Sequence, residues 1–154
     1  MEEMNLSLYR VAEIQLSYRP QIKPSNRPKV CSSKEVHNLL IQNWDLDRLE
    51  LQEQFKIMLL NRANRVLGIV EISTGGVAGT VADPKLIFGA ALKAGASSVI
   101  LAHNHPSFQL TPSQADLNLT RKLRCGGELL DIGVFDHIII TAEGYLSFAD
   151  EGLL

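Results

Sequence analysis

The hydrophobic and polar positions change period several times along the chain. Leu8, Val11, Ile14 and Leu16 alternate loosely, so Leu6 to Tyr18 predicts an extended arm or strand. Pro20, Pro24 and Pro28 make Arg19 to Val30 a loop, because each proline removes a ladder donor. Ser32 with Glu35 is a capping-box signature, and Val36, Leu39 and Leu40 continue at helical spacing to about Trp44. After the charged connection Asp45 to Leu51, two strands are predicted, Glu53 to Leu60 and Val66 to Ser73, joined by the polar turn Asn61 to Arg65. Gly75, Gly76 and Gly79 mark a loop. Asp83-Pro84 offers an N-cap with proline in the first helical position, and Gly95 caps the other end of that helix near Ala94.

Ser97 to His103 is nearly all apolar, as a strand covered on both faces should be. Asn104 to Pro112 reads as a loop, Ser113 to Arg124 as a helix ended by Gly126-Gly127, and Ile132 to Thr141 with Tyr145 to Phe148 as a hairpin about Glu143-Gly144. The sum is an α/β or α+β fold, a mixed β-sheet flanked by about three helices. The helix between the strand ending near Ser73 and the strand at Ser97 predicts a crossover unit. No repeat or internal linker splits the chain, so residues 1–45 are expected as an arm and helix packed on the domain made by 46–154.

Composition narrows the function classes. A chain of 154 residues, 45% hydrophobic and 21% charged, can bury one core and is not disordered. A net charge of -2 excludes a generic polybasic nucleic-acid or membrane module. The acidic Met1-Glu2-Glu3-Met4 is unlike a secretory signal, and runs such as Val99 to Ala102 are too short for a bilayer. Cys31 and Cys125 lie far apart, which leaves no thiolate zinc finger or disulfide scaffold and points to the cytoplasm.

Of the four histidines, His37, His103, His105 and His137, two share one tripeptide. Imidazoles at i and i+2 on extended backbone project to the same side, and Pro106 then turns the chain. Asp116 lies about one turn into the next helix, where the loop can fold it back over the strand end. His103, His105 and Asp116 make an N,N,O set with an open fourth position, the donor pattern of catalytic zinc. Each part alone has a plainer reading: surface histidines for His-x-His, and a helix cap for Ser113-x-x-Asp116, with Thr111-Pro112 as a rival cap. A two-His-one-carboxylate iron site is the other metal chemistry open to this set.

The run His103-Asn104-His105-Pro106-Ser107, followed by Ser113 and Asp116, resembles the JAMM metal-binding motif of the JAB/MPN metalloprotease superfamily, and more closely its bacterial RadC branch. The resemblance covers about Glu53 to Phe148, including Asp136-His137-Ile138-Ile139. It implies a cytidine-deaminase-like sandwich in which residues 46–154 are a RadC-like domain holding Zn²⁺ through His103, His105 and Asp116. It also implies a general base from an earlier strand, and the matching position is Glu53, in phase with Phe55, Ile57 and Leu59. Glu71 is the alternative base.

The implied activity is that of a zinc metallopeptidase or isopeptidase acting on a peptide or protein. Glu53 would move the proton of a metal-activated water, and Ser113 would donate to the oxyanion or serve only as a cap. Phe108 departs from the family pattern, which usually has glycine after the serine, and predicts a bulkier loop. The alternative function is a DNA-repair-associated module that binds or acts on DNA, for which Arg121, Lys122 and Arg124 offer a small basic patch. The first 45 residues contain no glycine, so no glycine-centred helix-hairpin-helix is expected there. Asp136-His137 is expected as a buried Asp–His hydrogen bond at a strand start, His37 as a surface residue, and Cys125 as part of a helix terminus.

Overall fold

A computed structural model describes residues 10–76 and 81–154. Leu6, Leu8 and Gly79 lie outside the described residues. Helix α1 spans Ser33–Gln42, strand β1 Gln54–Leu60, β2 Val66–Thr74, α2 Pro84–Ala94, β3 Ser98–Asn104, α3 Gln114–Leu129, β4 Gly133–Ile140 and β5 Tyr145–Ser147. The strands form one mixed sheet in the order β2-β1-β3-β4-β5. β1 runs antiparallel to both β2 and β3, β3 is parallel to β4, and β4 is antiparallel to β5. The expected crossover is present: β2 and β3 both oppose β1, and α2 carries the chain between them. α3 makes a second crossover, between the adjacent parallel strands β3 and β4.

Both faces of the sheet are covered, which is why every residue of β1 and β3 is buried. Met58, Leu60, Ile100, Ala102, Ile138 and Ile140 pack under α1, with Val36, Leu40 and Trp44. Phe55, Ile57, Leu59, Val99 and Leu101 pack against Ile87 and Ala91 of α2 and Leu123 of α3 on the other face. Residues 10–22 form no strand, and Val11, Ile14 and Leu16 stay exposed, so the expected arm is extended but unpaired. The Tyr18 hydroxyl ties it to β2 by donating to the Leu67 carbonyl at 2.8 Å. Among the described residues no helix is long and apolar enough to cross a membrane.

Three expectations about helices change. α3 does not stop at Gly126-Gly127 but continues to Leu129, which puts Cys125 inside it. Gly127 is there for close approach, since a Cβ would collide with the Ile132 carbonyl oxygen as the chain folds back into β4. His37 is half-buried rather than idle on the surface: it stacks on Tyr145 at 4.3 Å between centroids, and burial lowers its pKa. Gly95 does cap α2 from the left-handed region, at φ 66°, as its position predicted.

Asp136 and His137, neighbours on β4, point to opposite faces. The Asp136 carboxylate accepts from the main-chain amides of His137 (2.7 Å) and Ala149 (3.0 Å) and from the Ser147 hydroxyl (2.6 Å). The expected Asp–His bond therefore involves the His137 backbone and not its ring. Burial pushes the Asp136 carboxyl up, against the pull of these hydrogen bonds. The native state thus holds this proton more tightly than the unfolded chain, and that contribution is lost as pH rises through the raised value. Asp136→Asn keeps the amide bonds without the charge, so its stability relative to wild type should rise between about pH 4 and about pH 7 in urea titrations. A difference that does not change with pH would show that the carboxyl is not perturbed.

Candidate metal centre

The site forms at the C-terminal end of β3, beside the parallel strand β4, where α/β sheets place their ligands. Alternation along β3 sends Val99, Leu101 and His103 to the α2/α3 face, and His103 is opposite Phe55 of β1 in register. The ladder continues one residue past the strand, with the His105 amide donating to the Ile140 carbonyl at 2.9 Å. His105 therefore stays in phase with His103, and their Nε2 atoms lie 2.9 Å apart. The His105 Nδ1 is held by the Gln109 carbonyl at 2.6 Å, which leaves Nε2 as the inward atom.

Asp116 enters from the first turn of α3. Ser113 is the N-cap, displacing the rival Thr111: its hydroxyl accepts from the Asp116 amide at 3.0 Å, and its own amide donates to Asp116 Oδ2 at 2.8 Å. This capping box aims the carboxylate, so that Oδ1 stands 3.4 Å from His103 Nε2 and Oδ2 3.7 Å from His105 Nε2. Capping and ligand placement are one structure here. Burial would raise the Asp116 carboxyl, but the facing His103 and His105 rings and the Ser113 amide hold it far below the usual carboxylate range. The facing Asp116 carboxylate raises the pKa of His105 against its burial, with the Gln109 carbonyl and the Glu53 charge adding to it.

One ligand atom from each of His103, His105 and Asp116 lies within 4.8 Å of the others. Two imidazole nitrogens and a carboxylate oxygen at that separation fit a tetrahedral divalent cation with one position left over.

Glu53 immediately precedes β1, half-buried, on the same face as Phe55 and hence as His103. Its main chain extends the β1–β2 ladder: its carbonyl accepts from the Gly75 amide at 2.8 Å, and its amide donates to the Gly76 carbonyl at 3.3 Å. Glu71, the alternative position, lies away from the histidines: it pairs with Lys56 on the α1 face and is bound by Gln54 at 2.6 Å and by Thr74 at 2.8 Å. Asn104, between the two histidines and fully buried, points to that opposite face as well. Its amide donates to the carbonyls of Leu49 and Gln52, both at 2.8 Å, and accepts from the Gln54 amide at 2.7 Å. The segment on either side of Glu53 is thus pinned to the strand that carries the histidines.

His137 is the residue that sequence reasoning did not connect to the histidine cluster. Its ring is fully buried, with Nε2 2.7 Å from His103 Nδ1 and Nδ1 2.7 Å from Thr120 Oγ1. Burial, and then the neighbouring His103, pushes its pKa well below the ordinary value. Pairing of β3 with β4 sets Leu101 beside His137, and no periodicity in either strand reveals that cross-strand neighbour. The sequence signal was the buried-looking Asp-His at the start of an apolar strand, which gave no facing.

A family model described as RadC-like JAB domain matches residues 30–153. The chain belongs to that family. A UPF0758 protein of Flavobacterium johnsoniae is 48% identical over 101 residues, covering 66% of this chain and 44% of the relative. One from Symbiobacterium thermophilum is 35% identical over 144 residues, covering 94% and 60%, and one from Trichodesmium erythraeum is 47% identical over 133 residues, covering 84% and 53%. The chain thus spans about half the length of the curated relatives it matches.

In this RadC-like domain Phe108 stands where the resemblance led to the expectation of glycine, and its backbone conformation is one that glycine adopts freely. Phe108 has φ 66°, in the left-handed region, within a turn closed by its amide on the His105 carbonyl at 3.2 Å. A bulky side chain there costs on the order of 1 kcal/mol that glycine would not. The side chain is 47% exposed on the loop that follows the histidines.

Proposed function

We propose that this RadC-like domain is a zinc-dependent metallohydrolase of JAMM type that cleaves a peptide or isopeptide bond in a peptide or protein substrate. The observation that carries the reading is the convergence of His103, His105 and Asp116, with the Glu53 charge felt at His105. A zinc ion held by these three residues would supply Lewis acidity and acidify a water in its open position. Glu53, on the strand edge beside them, takes a proton from the attacking water and returns it to the leaving amine. The Ser113 oxygen accepts from the Asp116 amide, and its hydroxyl proton remains available for the oxyanion. His105, tied to Gln109 and Asp116, and His103, tied to His137, keep their Nε2 atoms aimed at the same point. The two exposed free thiols suit the reducing cytoplasm.

Metal analysis of the purified protein tests this reading. It should contain stoichiometric zinc, and a chelator that strips the zinc should abolish hydrolysis of peptide or isopeptide substrates until zinc is restored. Stoichiometric iron, no bound metal, or salt-sensitive DNA binding without any hydrolysis would each overturn it.

A further inference from the structure

We propose that His137 and Thr120 are positioning residues of the metal centre, which together fix His103 in the tautomer that carries its proton on Nδ1 and presents Nε2 to the cation. The inference rests on the metal-site reading above and assigns the parts that hold that site in order.

The hydrogen bonds run in one direction only. Thr120 Oγ1 lies 2.7 Å from the Asp116 carbonyl oxygen, which can only accept, so the hydroxyl proton is committed there. The Thr120 oxygen then accepts from His137 Nδ1, 2.7 Å away, and His137 carries its proton on that nitrogen. The His137 ring is fully buried, stacked on Phe148 at 4.5 Å and edge-on to Phe55 at 5.7 Å, with no carboxylate among its hydrogen-bond partners. A second ring proton there would be a buried, unpaired charge. The neutral ring leaves a lone pair on Nε2, which faces His103 Nδ1 at 2.7 Å. His103 therefore donates from Nδ1, and its Nε2 lone pair is directed at Asp116 and His105.

This chain of bonds starts at one proposed ligand, His103, and ends on the main chain of another, Asp116. A cation held by His103 and Asp116 would close it into a ring through β3, β4 and α3. The usual outer partner of a metal-bound histidine is a carboxylate, a carbonyl or water. A neutral histidine in that role orients the ligand without adding negative charge to the site. Thr120 is a back-bonded threonine in mid-helix, and its hydroxyl sets the tautomer of both rings in turn.

Histidine ¹⁵N spectra of the metal-free protein at about pH 8, above the ordinary histidine range, read the tautomers directly. Both His103 and His137 should carry the proton on Nδ1. Thr120→Val, close in shape and without the hydroxyl, should show mixed tautomers on both rings. Its zinc affinity in competition with a chelating dye should fall by about 10–100-fold, and Thr120→Ser should restore both readouts. An Nε2–H tautomer at His103 in the wild type overturns the proposal, and that measurement decides it even if Thr120→Val fails to fold. Unchanged tautomers and unchanged zinc affinity in Thr120→Val would overturn it equally. Wild-type protein with the Nδ1–H pattern intact but no affinity for zinc would instead overturn the metal reading and leave the hydrogen-bond order standing.

Discussion

Replacing Glu53 with glutamine should lower kcat by about 10²–10⁴-fold, the usual span for loss of a general base, and leave zinc stoichiometry unchanged. Glutamine keeps the size of the side chain and its hydrogen-bonding capacity but cannot take a proton from water. The main chain at this position is held by Gly75 and Gly76 and, through Asn104, by the histidine strand. The variant should therefore fold and bind zinc as the wild type does. The pattern distinguishes a base from a ligand: His105→Ala should lose both zinc and activity, Glu53→Gln activity alone. A Glu53→Gln protein with wild-type turnover on a cleaved substrate would remove Glu53 from the mechanism, and loss of zinc together with activity would make it a ligand or a structural residue.

Asn104→Leu should be the most destabilising single change near the site. Leucine is similar in size and equally apolar to the α1-side core, but it strands the Leu49 and Gln52 carbonyls and the Gln54 amide, all of which Asn104 now satisfies. Each abandoned main-chain group costs about 1–3 kcal/mol when it is shut away from water, so a loss of about 3 kcal/mol or more is expected in urea unfolding. Asn104→Asp should also fail, because it keeps the acceptor for Gln54 but sets a carboxylate against two carbonyl oxygens. A loss under about 1 kcal/mol would mean that water replaces the amide freely and that the segment is not pinned. Because Asn104 faces away from the proposed ligands, its removal displaces Glu53 and leaves the donor atoms of His103 and His105 in place. The asparagine inside the His-Asn-His tripeptide thus links the strand of the histidines to the segment that carries Glu53.

Local signals made much of this legible beforehand. Ser32, Asp83 and Ser113 each cap the helix that follows, and Gly95 ends α2, because capping depends on a few neighbouring residues. The apolar run of β3 marked a strand covered on both faces, and strand alternation put the two histidines on one side. Short-range rules failed where a distant element intervenes. The glycine pair read as the end of α3 lies within it, because Gly127 answers to the Ile132 carbonyl and not to its own helix. His37 looked exposed from its place in α1, but Tyr145 of β5 covers it.

The sequence by itself pointed to the family through its motif, and to the element order from α1 to β5 and the candidate donor set His103, His105 and Asp116 through spacing and capping, which act over a dozen residues. Only the tertiary structure decided which face of β4 His137 occupies, that Thr120 meets it from α3, and that Asn104 fastens the segment before β1. Those contacts cross between strands and helices 17 to 55 residues apart in the chain, and sheet register, not local periodicity, sets such neighbours.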